Sequence, residues 1–132
     1  MRWFNRDRPP DVWETGVEPE GDIETAQLIR EICAAAAAIT ERMATLRGRH
    51  SEAEKATEGE RYQAAIKRAL ELARKMSDDA MRDVSVSQIT RLCVKAGHLK
   101  TARVLLRAIQ SDGIRNELIA ESASLIDQDA AN

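Results

Sequence analysis

Ala69-Leu-Glu-Leu-Ala-Arg-Lys-Met-Ser-Asp-Asp-Ala-Met-Arg82 returns, 33 positions on, as Ala102-Arg-Val-Leu-Leu-Arg-Ala-Ile-Gln-Ser-Asp-Gly-Ile-Arg115. Ala69, Leu72, Arg74, Asp79 and Arg82 recur as Ala102, Leu105, Arg107, Asp112 and Arg115, and Met76 is answered by Ile109. Self-similarity at this period marks stacked helical hairpins, in which each unit buries its apolar face only against its neighbours. The echo therefore predicts an all-α chain of about five helices, arranged as stacked antiparallel hairpins or as a plain helical bundle. Its role would be to present a surface.

Composition agrees. The 132 residues suit one domain with a modest core. Alanine, leucine, isoleucine, arginine and glutamate dominate, and Trp3, Phe4, Trp13 and Tyr62 are the whole aromatic set. Such a chain has a thin aliphatic core and high helix propensity.

Working outward from the echo, residues 1–21 read as an irregular N-terminal arm, broken by Pro9, Pro10, Gly16, Pro19 and Gly21. Trp3, Phe4 and Trp13 in this arm either pack on the helices or form a motif that enters a partner. Residues 22–127 read as one helical domain, with 128–132 frayed. Asp22 is the expected N-cap of a first helix whose stripe is Ile29, Ile32, Cys33, Ala36, Ile39, Met43 and Leu46, stopping at Gly48. Ser51 and Glu54 form a capping box for a second helix reaching about Met76, which Gly59 weakens early. Ser77, Asp78 and Asp79 supply the break and cap before the third helix, with the echo setting Asp79 and Asp112 at the caps of the third and fifth helices; the fifth carries Ile114, Leu118, Ile119, Ser122, Ala123 and Ile126. Gly97 turns the third helix into a fourth spanning Leu99 to Ile109. The strand-like Val84-Ser-Val-Ser run is expected to yield to the helix around it.

Residues 86–109 resemble one tetratricopeptide-type repeat. Val86, Ile89 and Cys93 stand at its helix A positions, and Gly97, Leu99, Ala102, Leu106 and Ile109 fit its turn and helix B pattern. Thr90 replaces the usual small residue, leucines replace aromatics, and Ile114 stands where a proline is customary. The resemblance implies a scaffold that binds proteins or peptides, such as an adaptor, chaperone or regulatory subunit. About one repeat with partial flanks is fewer than the three that close a core, so the first helix, the aromatic arm or a second copy in a homodimer must cover the open ends.

Two candidate surfaces follow. Arg82, Gln88, Arg91, Lys95 and Arg115, with Trp3, Phe4 and Trp13, are the expected contact face for a protein partner. Lys67, Arg74, Lys100, Arg103 and Arg107 would form a basic ridge for an acidic or nucleic-acid partner, or an ordinary solvated face. The net charge of −2 hides 8 basic and 13 acidic residues in 1–60, 11 and 4 in 61–107, and 1 and 5 in 108–132. A basic middle between acidic ends can attract an anionic partner or the chain's own tails. Arg82 and Arg115, each three residues after an aspartate, suit a local ion pair at a hairpin corner.

No glycine-rich phosphate loop, nucleophile elbow or zinc spacing occurs, so neither enzyme chemistry nor a cofactor or metal is expected. His50 and His98 lack a cysteine or carboxylate at ligand spacing. Cys33 and Cys93 are expected to be reduced, as in a cytoplasmic protein. The longest apolar run, Cys33 to Ile39, is too short for a membrane span. A helix-turn-helix register on Gly97 would send Arg103 inward, which counts against a DNA reader.

Overall fold

The computed structural model describes residues 10–14, 16, 18–46 and 51–126. It is all-α: α1 (Gly21–Thr45), α2 (Ser51–Arg74), α3 (Asp79–Lys95), α4 (Leu99–Ala108) and α5 (Asp112–Glu121). One 3-10 turn, Val12–Glu14, precedes them and another, Ala123–Leu125, follows.

The chain alternates direction. Arg42 near the end of α1 meets Glu58 near the start of α2, so this pair is antiparallel. Tyr62 of α2 reaches Cys93 near the end of α3, again antiparallel. Gly97, at φ +81°, folds α4 back along α3. In consequence α1, α3 and α5 run parallel. Asp22 and Glu41, at the two ends of α1, bond respectively to Asp78 and Lys95 at the two ends of α3. Asp83 and Arg91 of α3 bond in the same order to Ser111 and Glu121 along α5.

Four members of the predicted α1 stripe are buried, while Cys33, Met43 and Leu46 are half-buried. Ile29, Ile32, Ala36 and Ile39 of α1 are buried with Tyr62, Ala65, Ile66, Ala69 and Leu72 of α2, Met76 just beyond it, and Val86, Ile89, Leu92 and Cys93 of α3. Ala69 and Ala102, the alanines of the echo, are both fully buried. Alanine there lets neighbouring backbones approach closely. Thr90, where a smaller residue is customary, is also fully buried, and its hydroxyl donates to the Val86 carbonyl at 2.8 Å. The Val84-Ser-Val-Ser run is helical throughout.

The hairpin corner is built twice. At the α2–α3 corner the Asp78 side chain caps α3 by accepting from Met81 N at 2.8 Å. Arg82 bonds both Asp79 and the Met76 carbonyl at 2.8 Å. At the α4–α5 corner Ser111 caps α5 through Ile114 N at 3.2 Å, and Arg115 bonds Asp112 and the Ile109 carbonyl. A carboxylate from the preceding parallel helix clamps each corner. Asp22 accepts from Ser77 N and Asp78 N at 3.0 and 2.7 Å, and Asp83 from Gln110 N and Ser111 N at 3.1 and 2.9 Å.

These corners correct several expectations. The caps are Asp78 and Ser111, while Asp79 and Asp112 hold the corner arginines instead. Asp22 does not cap α1, which starts at Gly21 without a side-chain cap; Asp22 is spent on the next corner. α1 ends at Thr45, and the Gly48 stop lies outside the described residues. α5 ends at Glu121 rather than running on, because a 3-10 turn follows; Leu125 is buried there while Ile126 is 52% exposed. α2 runs uninterrupted through Gly59.

The arm closes the thin core at one side. Trp13 is only 8% exposed and joins the core cluster. Arg61 lies over its ring, 5.8 Å from the centroid, and grips both oxygens of Asp11 at 3.1 and 2.6 Å. Trp3 and Phe4 lie outside the described residues.

Candidate contact face and basic ridge

Val84, Gln88, Arg91 and Lys95 follow one another at three- and four-residue steps, so they share one face of α3. That face lies between the parallel helices α1 and α5. Arg91 donates to both oxygens of Glu121 on α5, at 2.8 and 2.9 Å, and Lys95 donates to Glu41 on α1 at 2.9 Å. Of the expected contact residues, Gln88, Arg91 and Lys95 therefore share a face, but the two cations are tied sideways to flanking helices. Between α3 and the end of α5 lies a cleft of about 230 Å³, lined by Arg91, Val94, Lys95, Leu118, Glu121, Ser122 and Leu125. Val84 is 48% exposed, and the Oε1 atom of Gln88 is buried with no hydrogen-bond partner. Arg82 and Arg115 stand apart from this face, since each is consumed at a corner. Trp13 is committed to the core.

The ridge residues separate into two groups. Lys67, Arg74, Lys100 and Arg107 are exposed and make no ion pair among the described residues. Arg103 is different: its guanidinium donates twice to the Ser124 carbonyl, at 3.2 and 3.0 Å, tying α4 to the C-terminal turn. α2 packs on α1, α3 and the N-terminal turn, whereas α4 packs on α3, α5 and the C-terminal turn. The four exposed cations therefore sit on two helices that share no extensive contact.

The uneven charge along the chain is used internally. Cations of the basic middle pair with carboxylates of the acidic ends: Arg61 with Asp11, Arg68 and Lys75 with Glu18, Lys95 with Glu41, and Arg91 with Glu121. Lys75 holds the Glu18 carboxyl below its ordinary range, and Arg91 does the same to Glu121. The Ser77 and Asp78 amides hold Asp22 low. Because these folded-state values are depressed, the unfolded chain binds more protons as pH falls. Stability is expected to be insensitive to these groups above about pH 5 and to fall progressively below about pH 4. Urea unfolding at stepped pH reads this directly, and added salt should blunt the part due to the exposed pairs.

The thiols are placed for packing. Burial pushes Cys33 up to about 11 and raises Cys93 as well, so neither is a ready nucleophile at neutral pH. Both are free. Among the described residues no group of three His, Cys, Asp or Glu side chains could hold a metal ion. No described helix is long and apolar enough to cross a membrane.

Sequence reasoning missed a second concavity. It measures about 550 Å³ and lies where the end of α1, the first half of α2 and the α3–α4 turn converge. Its one legible signal was Gly59, a glycine inside a helix three residues before the buried Tyr62. No family model, curated protein or solved structure matches this chain.

Proposed function

We propose that this chain is a protein-binding module of tetratricopeptide-like build. Its contact face is the Val84–Gln88–Arg91–Lys95 stripe of α3, framed by α1 and α5. The observation that carries this reading is the Gln88 Oε1 atom, a buried acceptor without a donor in the middle of an otherwise satisfied surface. An unpaired buried acceptor costs about 1–3 kcal/mol, a cost removed when the Gln88 amide turns outward to accept a partner's N–H. The half-exposed Val84 beside it supplies apolar area. Arg91 and Lys95, already held by carboxylates, are preorganised rather than free to search.

Val84→Asp with Gln88→Ala tests the face while sparing both ion pairs. Proteins captured by the unaltered chain should be lost by this double variant and kept by Lys67→Glu, which lies elsewhere. Capture of the same set by all three proteins would refute the assignment. A nucleic-acid reading rests on the exposed Lys67, Arg74, Lys100 and Arg107. The tethering of Arg103 and the separation of α2 from α4 weaken it, and titration with duplex and single strand at low and high salt decides it.

A further inference from the structure

Gly59 stands inside α2, where glycine costs about 1 kcal/mol relative to alanine. The protein's own packing does not require it. A Cβ built there would meet only the Met43 methyl, at 3.9 Å, an ordinary contact. Its remaining surroundings are the 550 Å³ cavity lined by Thr40, Met43, Ala44, Tyr62, Ala96 and His98, among others. The glycine therefore keeps open a space that an alanine would begin to fill.

The walls of that space are fixed. The Tyr62 hydroxyl faces the Cys93 sulfur at 3.8 Å, so its ring edge is held. His98 packs against that ring in an edge-to-face arrangement, with centroids 4.9 Å apart. Met43, Ala44, Tyr62 and Ala96 make the lining largely apolar. At the rim, Glu41 and Lys95 neutralise one another at 2.9 Å. Lys55 lines the same cavity and has no acidic partner among the described residues. Among the described residues the rim thus carries one unbalanced positive charge over an apolar floor. The volume falls within the range of about 300–1,000 Å³ usual for small-molecule sites.

We infer that this cavity binds an amphipathic carboxylate, its aliphatic body lying over Gly59 between Met43 and Tyr62 and its anionic head at Lys55. The site shares the Glu41–Lys95 rim with the α3 face, but its floor over Gly59 and its headgroup lysine lie on α1 and α2, and ligand binding there does not rest on that face.

Isothermal titration of the full chain with decanoate, decanol and decyltrimethylammonium, each below its micellar concentration, tests the assignment. Decanoate should bind saturably at one site, and the ammonium should bind more weakly. Gly59→Leu, which projects a side chain into the cavity, should abolish decanoate binding. Lys55→Gln should weaken decanoate about 2–5-fold, the size of an exposed charge contact, and leave decanol unchanged. Gly59→Ala serves as the folding control and should melt above the unaltered protein. Absence of saturable decanoate binding, equal binding of the ammonium, or undiminished binding to a folded Gly59→Leu would each overturn the inference. If Gly59→Leu does not fold, Lys55→Gln decides: decanoate affinity equal to that of the unaltered chain overturns the headgroup assignment.

Discussion

Trp13→Ala is expected to lower the unfolding free energy by about 3–5 kcal/mol, the range for removing a buried indole. The alanine-rich α1 cannot supply bulk. Ala36 is fully buried, and the flanking Ala35 and Ala37 only partly cover the core. Among the described residues of the arm, Trp13 is the large aromatic inserted there, only 8% exposed. Its loss also removes the surface under the Arg61 guanidinium, and with it the ordered site in which Arg61 holds Asp11. Trp13→Phe should recover part of the loss, since a smaller ring still fills most of the space. Urea unfolding followed by circular dichroism measures both variants. A loss under about 1 kcal/mol for Trp13→Ala would show that the arm is decoration rather than core. An independent readout is available in a Trp3→Phe background, where the Trp13 emission should be blue-shifted and should red-shift only on unfolding.

The sequence made the helices legible because apolar spacing and turn residues are local signals. Gly97, the isoleucines of the α1 stripe and the buried Ala69 and Ala102 all stand where turn residues and spacing put them. The echo erred by one residue at the caps for an identifiable reason. Asp79 and Asp112 match by identity, so they attracted the cap role. The capping oxygens belong to Asp78 and Ser111, which differ in name but offer the same acceptor. Identity tracked the Arg82 and Arg115 ion pairs instead. The contact stripe was partly legible, since α3 periodicity places Gln88, Arg91 and Lys95 together. Their tethering to Glu121 and Glu41 was not, because it depends on which helices lie side by side. The same holds for Asp22 and Asp83, whose partners lie 55 and 27 residues away. No local pattern announces such a bond.

Those two aspartates make the second large prediction. Asp83 and Asp22 clamp equivalent corners with equivalent bonds, yet Asp83 is only 5% exposed while Asp22 is half-buried and its partners Ser77 and Asp78 are exposed. Asp83→Ala strands the Gln110 and Ser111 amides in a partly buried corner and is expected to cost about 2–4 kcal/mol, the loss of two amide bonds to a charged acceptor. Asp83→Asn keeps one acceptor oxygen but turns an NH₂ toward the second amide, so it should lose roughly half as much. Asp22→Ala should cost distinctly less than Asp83→Ala, because water can replace the carboxylate at Ser77 and Asp78. Hydrogen exchange adds a local test, with Gln110 and Ser111 amides losing protection in Asp83→Ala while α1 and α2 amides keep theirs. Equal costs at the two corners would mean that burial does not govern the clamp. With Asp83 removed, α5 would retain the Ser111 cap, the Arg115 corner, the Arg91–Glu121 pair and the buried Leu118 to fix it beside α3. The parallel placement of α5 beside the proposed contact face thus rests on this buried carboxylate together with the apolar seat of Leu118.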